Sequence, residues 1–490
     1  MKTLADMAAG LEGYDPQALP AAAVQAFLSE LVTPVTDTET LGIFDALGRV
    51  LAQDIISPVN VPPHDNSAMD GYAFAGAQLR ADSPLLLRVV GVAFAGAAWQ
   101  GQVGPGQCLK IMTGAVMPAG LDTVVPQEFV HTGAAIQNAE NVPNAPNVPN
   151  TENVQDEHIT IPSGLLRLGD NRRFAGEDIQ RGAVALARGE RLGPAALGLL
   201  ASLGVPTVQV LRRLRVAYFS TGNEVLSLGD APREGAVYDS NRYTVLGLLT
   251  RLGIDVIDLG VVRDDPPLLA AAFAQAAEQA DAVLTSGGVS VGEADHTRTV
   301  MQSLGDVLFW RVAMRPGRPM VVGRIHRAAP EIQAKSVLNP SRISANSYLK
   351  NQTSHQSANQ TAHQSANESP GAILFGLPGN PVAVMVSFLA FVRPALLRMM
   401  GCNARHTAGP PMLQARSTQA IRKRAGRTEY QRAWVHTDAS GALVVDVAGN
   451  QGSGVLSSMV QANGLIVLEH ERGNIAIGDS VAVMLLDAVV

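Results

Sequence analysis

Three carboxylates in the middle of the chain follow apolar runs that read as buried strands. Glu224, Asp264 and Asp295 each come shortly after a different run. If those runs pair in one sheet, the three side chains meet at one site, and oxygen ligands in this number suit Mg²⁺ held together with substrate phosphates. Taken singly, each is better explained as a helix N-cap or a solvated loop charge, and the neighbouring Asp265 is predicted to be such a cap.

A glycine-rich loop, SGGVSVGEAD at 286–295, lies between a predicted strand and a predicted helix. Gly287, Gly288 and Gly292 would let backbone amides approach an oxyanion closely, next to the electropositive end of the helix. The alternative is a plain tight turn. The loop matches neither GxGxxG nor GxxxxGK[ST], so the sequence gives no support for a dinucleotide site or a P-loop.

Arginines and prolines mark two further loops. Arg311, Arg315 and Arg318 lie in or beside MRPGRP, and guanidinium groups bind phosphates and tetrahedral oxyanions with two hydrogen bonds. The alternative is that they are surface arginines. Pro378 and Pro381 in GLPGNP fix the backbone of a loop that starts a helix, which is a sufficient structural role for them.

Upstream, two polar loops offer weaker candidates. Asp70 precedes a glycine in PPHDNSAMDGYAF, and Thr113 follows a short apolar run in IMTGAVMP. His64 and Asp65 could suggest a metal pair, but no third ligand stands at a useful spacing, so a metal site there is disfavoured.

The alternation of strands and helices between about 214 and 305 predicts a parallel, doubly wound α/β sheet. Strands are expected at 214–219, 254–262 and 281–285, with helices from Ser240 to Gly253 and from Pro266 to about 280. Ligands in such sheets bind outside the carboxyl ends of the strands. MRPGRP and GLPGNP also follow predicted strands, so five loops should converge on one edge. The regions 57–182 and 410–490 look like small β-rich domains.

Composition excludes several classes of function. The 490 residues are 47% apolar and 16% charged, with a formal net charge of -6, which gives no basic field for a nucleic-acid partner. The two cysteines, Cys108 and Cys402, rule out a disulfide framework, a zinc knuckle and an all-cysteine iron–sulfur site. We therefore expect a cytoplasmic protein.

Two segments are expected to be disordered insertions, and no segment is expected to cross a membrane. Residues 137–158 and 329–370 are rich in Asn, Gln, Ser, Thr and Pro and have too few large apolar side chains to form a core. The most apolar helix candidate, 381–392, should be closed by Arg393 and Pro394, short of the roughly 20 residues that span a bilayer.

Ten motifs in this order resemble one family. They are DNSAMDGYA, IMTGA, RRFAGEDI, FSTGNE, YDSNR, RDDP, SGGVSVGEAD, RPGRP, GLPGNP and GNQGSG. The chain is similar to the molybdopterin molybdenumtransferases over nearly its whole length apart from the two insertions. The resemblance implies that molybdate is inserted into adenylylated molybdopterin with release of AMP, that Mg²⁺ is the cofactor, and that the protein is a homodimer.

The resemblance also implies four domains and assigns the site. The domains would be an α/β domain (17–33 and 206–403), a linking domain (34–56 and 183–205), a β-rich domain facing the partner's cleft (57–182) and a C-terminal β-barrel-like domain (405–490). The residues that match functional positions of the family are Asp70, Thr113, Asp178, Glu224, Asp264, Ser290, Asp295, Pro378, Pro381, Arg432 and Ser453.

The resemblance also assigns a role to each of these residues. Glu224, Asp264 and Asp295 would handle metal and nucleotide, and Ser290 the pterin side. Arg311, Arg315 and Ser453 would bind molybdate, and Arg432 would line the cleft with Ser453. Lysine is frequent in the family at Arg311 and Arg315, and aspartate at Asn223, so this chain keeps the two charges with a different geometry and lacks that carboxylate.

Two alternatives stay open from the sequence. One is a molybdopterin adenylyltransferase, which would need ATP; the extra β domains argue for the insertion step. The other is a non-catalytic scaffold, but the retained carboxylates argue against a purely structural role. A molybdopterin adenylyltransferase and proteins that mature molybdoenzymes are possible partners.

Overall fold

The computed structural model describes residues 3–11, 14–134, 157–289, 296–327 and 371–486. The second predicted insertion, 329–370, lies outside the described residues, as does most of the first. The predicted insertion 137–158 ends too late, because Glu157 and His158 open a strand that continues through Ile159, Thr160 and Ile161. The β-branched residues Ile159, Thr160 and Ile161 favour a strand over a loop at this point.

The N-terminal segment forms two helices, α1 (Leu4–Ala9) and α2 (Ala21–Leu31). The Oγ1 atom of Thr3 accepts a hydrogen bond from the Asp6 N–H at 3.1 Å and so caps α1. Val24, Phe27 and Leu31 share one face of α2 and are fully buried. The ring of Phe27 meets that of Trp310 edge to face, with centroids 4.9 Å apart, so α2 packs on the α/β domain.

The chain then runs through the linking domain and into the β-rich domain. β1 (Thr38–Gly42) and β2 (Ile55–Ile56) come first. The β-rich domain contains β3 (Asn66–Ser67), β4 (Gly71–Phe74), β5 (Leu85–Ala93), β6 (Gln107–Ile111), β7 (Thr123–Pro126), β8 (His131–Ala134), β9 (Glu157–Ile161) and β10 (Arg172–Arg173). Six of these form one sheet in the order β7-β4-β6-β5-β9-β8. Because Gly71 pairs with Ile111 in antiparallel register, the start of β4 and the end of β6 lie at the same edge.

The linking domain is completed when the chain returns. It gains β11 (Val184–Leu186), α3 (Pro194–Ser202) and β12 (Thr207–Leu211). β12 pairs with β1 over five residues, and its side chains Val208 and Val210 are buried with Leu51 and Leu200. β12 therefore packs with the linking domain, and the first strand of the main α/β sheet begins at Arg215.

The α/β domain follows. Its strands are β13 (Arg215–Thr221), β14 (Val225–Leu226), β15 (Val237–Tyr238), β16 (Asp255–Val262), β17 (Ala282–Ser286), β18 (Gly305–Arg311), β19 (Met314–Arg315), β20 (Pro319–Ile325) and β21 (Ala372–Leu377). Its helices are α4 (Ser240–Leu252), α5 (Pro266–Gln279), α6 (His296–Leu304), α7 (Pro381–Ser387) and α8 (Arg393–Met399). The predicted helix signals are confirmed: Asp265 caps α5 through Leu268 N–H, and Gly253 ends α4 at φ 78°.

The main sheet of this domain has the order β16-β13-β17-β21-β20-β18. β20 runs antiparallel to both of its neighbours, so the sheet is not purely parallel as predicted. Because β20 is reversed, β18 runs in the same direction as β13, β16, β17 and β21. All five carboxyl ends therefore face one edge, and the predicted convergence of five loops is confirmed. β16, predicted to be buried, is an edge strand whose residues are at least partly exposed.

The last helix of the sheet layer is longer than its sequence suggests. α7 continues through a π-helical turn, Phe388–Val392, directly into α8. Arg393 and Pro394 do not end it, because proline is tolerated in the first turn of the following segment. The run Pro381–Met399 is long and apolar enough to span a membrane by composition, with mean hydropathy 1.8, but 78% of it is buried inside the protein. It is a core helix of this fold.

The C-terminal domain is a small barrel. After α9 (Ala404–Thr407) come β22 (Met412–Ser417), β23 (Thr428–Thr437), β24 (Leu443–Val447), α10 (Ser457–Val460), β25 (Gly464–Leu468) and β26 (Ser480–Leu485). β23 pairs with both β24 and β25, which closes a circle of five strands. β19, which belongs to MRPGRP, adds to the outside of this barrel in parallel with β23.

Phe27→Ala tests how α2 is held. Removing a fully buried ring that packs against Trp310 should lower the free energy of unfolding by about 3–5 kcal/mol. Urea denaturation followed by tryptophan fluorescence measures this. Phe94→Ala, at a ring that is 61% exposed, is the matched control and should change the value by no more than about 0.5 kcal/mol. Equal effects of the two changes would contradict the packing of α2 on the sheet.

Candidate functional site

A cleft lies where the carboxyl edge of the α/β sheet meets the barrel. Its larger part, the cationic lobe, has a volume of about 740 Å³ and contains Arg315, Arg318 and Arg427 together with Glu224 and Ser453. Its smaller part, the acceptor lobe, has a volume of about 510 Å³ and is lined by Ser220, Thr221, Asp239, Asn241 and Ser286 among others. Glu224, Gly287, Gly379 and Asn380 line both lobes, so the two parts adjoin.

Pairing of β19 with β23 builds the cationic lobe. Met314 lies opposite Thr428 and Arg315 opposite Glu429, and Thr428 N–H donates to the Ala313 carbonyl at 2.9 Å. The loop from the sheet and the first strand of the barrel are therefore held side by side. This brings the charges of Arg315 and Arg427 to one wall.

Arg427 was not singled out by its sequence context, although it is one of the three arginines of this lobe. Its Nε and Nη2 atoms lie 2.8 and 2.7 Å from Oε1 of Glu429, a carboxylate that is only 2% exposed. Gln431 Nε2 donates to the other oxygen at 3.1 Å. In the sequence GRTEYQR, the spacing of Arg427, Glu429 and Gln431 indicates that they share one face of a strand, because residues two apart on a strand point the same way. Only the closure of the barrel shows that this face adjoins the cleft.

Arg432, which the resemblance placed at the cleft with Ser453, is buried against the loop that presents Ser453, so its role in the cleft stays a prediction. It is 1% exposed, and its guanidinium donates to the carbonyls of Asn450 and Gly452 at 2.8 and 3.0 Å and to Ser458 Oγ at 3.0 Å. Burial, with Arg315 nearby, lowers the pKa of Arg432. These bonds hold the loop that presents Ser453, whose carbonyl accepts from Val382 N–H at 3.1 Å.

The start of the glycine-rich loop approaches the end of β13 and helix α6 too closely for side chains. Gly287 and Gly288 have φ values of 86° and 63°. A Cβ atom on Gly287 would lie 2.3 Å from the Thr221 carbonyl oxygen, and one on Gly288 would lie 2.7 Å from Thr297 Cγ2. Both positions therefore need glycine. Ser290, Gly292 and Asp295 lie outside the described residues.

Glu224 and Asp264 follow neighbouring strand ends, and Asp264 contacts the loop that carries Glu224. Thr221 Oγ1 donates to Asp264, and Asp264 N–H reaches Asn223 Oδ1 at 3.3 Å, next to Glu224. Within the part of the chain that the structure describes, no group of three or more His, Cys, Asp or Glu side chains could hold a metal ion. The predicted trio with Asp295 therefore stays a prediction.

The two prolines border the cleft where α7 begins. Pro378 is buried and lines the cationic lobe, and Pro381 is the first residue of α7 and lines the acceptor lobe.

Arg311 is not among the residues that line either lobe. Its backbone N–H donates to the Pro16 carbonyl at 2.8 Å, and its carbonyl accepts from Leu19 N–H at 3.1 Å. The main chain at Arg311 thus holds the N-terminal segment against the sheet.

Comparisons with known proteins agree with this architecture. Three family models match in order: the MoeA N-terminal region (domain I and II) at residues 19–204, a probable molybdopterin binding domain at 217–398, and the MoeA C-terminal region (domain IV) at 414–486. A molybdopterin molybdenumtransferase of Haemophilus influenzae is 37% identical over 93% of this chain and 95% of its own length. The chain belongs to the molybdopterin molybdenumtransferase family.

Two further relatives of this family agree. A molybdopterin molybdenumtransferase of Nostoc is 32% identical over 92% of this chain and 89% of its own length. The crystal structure of a molybdopterin biosynthesis moeA protein from Pyrococcus horikoshii aligns with a TM-score of 0.68 at 24% identity, covering 96% of this chain and all of that one. That structure supports the fold alone.

The family positions in the β-rich domain form a separate pair. Asp70 Oδ1 accepts hydrogen bonds from Thr113 N–H at 2.7 Å and from its Oγ1 at 2.8 Å. These bonds, the backbone one first, lower the pKa of Asp70 below its ordinary value. Asp178 is exposed elsewhere in this domain. These three residues do not line the described cleft of their own chain.

Arg315→Gln tests the cationic lobe of this family member. The change removes an exposed guanidinium and leaves the backbone pairing with Glu429 in place. A charge-assisted hydrogen bond is worth roughly 1.5–3 kcal/mol, so the affinity for molybdate should fall roughly tenfold or more. Isothermal titration calorimetry at fixed ionic strength measures it.

Arg405→Gln is the control for this change, because Arg405 is exposed on α9 outside the cleft. It should bind molybdate as the unchanged chain does. If both variants keep the same affinity, Arg315 takes no part in anion binding.

Proposed function

We propose that this enzyme inserts molybdate into adenylylated molybdopterin and releases AMP. The observation that supports it most is the joining of a cationic lobe and an acceptor lobe at a glycine-rich strand edge. A tetrahedral dianion and a dinucleotide-like substrate with two phosphates each need their own region of one cleft. The membership of the family supports the same reaction.

The arginines supply what the anions require. Arg315 and Arg318 are exposed to the lobe, and Arg427 is held in place by the buried Glu429. Fixed guanidinium groups bind tetrahedral oxyanions without reorganising, which stabilises the charge that develops as the phosphate link breaks. Ser453, presented by the loop that Arg432 supports, adds a hydroxyl at the barrel side.

Glu224 and Asp264 offer the type of ligand that a magnesium ion prefers. Both offer only oxygen, they leave neighbouring strand ends, and Asp264 is oriented by Thr221. Mg²⁺ is commonly bound by one or two carboxylates together with substrate phosphates. When bound, it would neutralise phosphate charge; Asp295 would complete the set.

The protein itself has no thiolate to offer molybdenum. Cys108 and Cys402 are both buried, and burial raises the pKa of Cys108 to about 12 and that of Cys402 to about 11. The sulfur ligands of the product must therefore come from the dithiolene of the substrate. Two reduced, unpaired cysteines also fit the cytoplasm, where we expect the enzyme to act.

A second copy of the chain is part of this proposal. The exposed Asp70–Thr113 pair and Asp178 lie outside the cleft of their own chain, and a homodimer would give them a cleft to face. Possible further partners are the molybdopterin adenylyltransferase that makes the substrate and proteins that receive the product. An ATP-dependent adenylyltransferase activity of this chain is not favoured by its relatives.

The test is to supply adenylylated molybdopterin, Mg²⁺ and molybdate and to follow AMP release by chromatography. AMP should appear only when molybdate is present, and no ATP should be required. Glu224→Gln should reduce the rate at least tenfold, because a carboxylate that handles the phosphates is lost. AMP released equally without molybdate, or never released by the unchanged enzyme, would contradict the proposal.

A further inference from the structure

The acceptor lobe contains a buried carboxylate oxygen with no donor. Asp239 is 5% exposed and caps α4: its Oδ1 accepts from Arg242 N–H at 3.0 Å. Within the described residues, its Oδ2 has no hydrogen-bond partner. Asp239 belongs to the motif YDSNR, and none of the roles proposed above uses its side chain.

A second unpaired acceptor lies two residues further on. Asn241 donates from Nδ2 to the Gly379 carbonyl at 2.7 Å, which fixes the orientation of its amide. Its Oδ1 is buried and has no donor among the described residues. Both residues line the same lobe.

The neighbouring Arg242 side chain does not satisfy these oxygens. The guanidinium of Arg242 is committed to Asp258, with Nε at 2.9 Å from Oδ1 and Nη2 at 2.6 Å from Oδ2. A buried acceptor without a donor destabilises the protein, and more so when it is charged. A ligand that brings N–H groups into this lobe would recover that energy.

The pattern of two acceptors selects the kind of ligand. The aminopyrimidinone ring of a pterin presents two adjacent donors, an exocyclic amino group and a ring N–H. The corresponding edge of adenine presents one donor beside one acceptor. The lobe is also large enough for a bicyclic ring, at about 510 Å³.

We propose that Asp239 and Asn241 bind the aminopyrimidinone edge of the pterin, so that the pterin end of the substrate occupies the acceptor lobe. This rests on the proposed function, which supplies a pterin substrate. The substrate's phosphates then extend past Gly287 and Glu224 toward the arginines of the cationic lobe. On the floor, Ser220 and Ser286 contact the Tyr218 hydroxyl at 2.9 and 2.7 Å and can turn their hydrogens to suit the pterin.

Asp239→Asn tests this assignment in the full-length protein. Asparagine keeps the shape and the N-cap, but it turns one acceptor in the lobe into a donor. Fluorescence titration with hydroxymethylpterin should show at least a tenfold loss of affinity. The Asp265→Asn control makes the same change at the cap of α5, where Oδ1 accepts from Leu268 N–H at 3.2 Å, and it should bind as the unchanged protein does.

A second ligand separates recognition from a general disturbance. Hydroxymethyllumazine carries an oxo group where the pterin has its amino group. The unchanged protein should prefer the pterin at least tenfold, and Asp239→Asn should lose this preference while its affinity for AMP and its thermal midpoint match those of Asp265→Asn.

Equal pterin affinity in Asp239→Asn and the unchanged protein would overturn the inference. So would a loss of AMP affinity with pterin binding kept, since adenine would then occupy the lobe. These titrations need no turnover, so failure of the AMP-release assay would refute the reaction and leave this result standing.

Discussion

One short strand pair determines whether this protein has a cleft at all. Met314 and Arg315 leave the carboxyl edge of the α/β sheet and pair in parallel with Thr428 and Glu429, the first residues of the barrel's longest strand. Without that pairing, the sheet edge would be an open rim of loops and the barrel a separate body. With it, arginines from two distant parts of the chain share one wall.

The other contacts at the cleft extend this junction. Arg432 holds the barrel loop that ends at Ser453, and the Ser453 carbonyl accepts from Val382 at the start of α7. The barrel is therefore attached to the sheet through both the strand pair and the helix N-terminus. The resulting division of charge, with donors in one lobe and unpaired acceptors in the other, is what we propose orients the substrate.

Local signals in the sequence predicted much of this. Asp265 with Pro266, and Gly253 after α4, marked helix ends because capping depends on neighbouring residues only. Glycines at 287 and 288 were likewise recognisable. The local sequence around Arg427 and Arg432 does not show which of them faces the cleft, because only the closure of the barrel buries Arg432 and places Arg427 in the cationic lobe. The reversed direction of β20 also depends on pairing across the sheet, which no local pattern encodes.

The junction of β19 and β23 should be a permanent part of the fold, and the cleft depends on it. Hydrogen exchange at the Thr428 amide, which donates to the Ala313 carbonyl, tests this most directly. We predict that this amide exchanges as slowly as that of Ile466 inside the barrel, in a single unfolding step. Exchange of Thr428 at the rate of a loop amide such as Gly441, with Ile466 still protected, would show that the barrel detaches from the sheet and would contradict a permanent cleft.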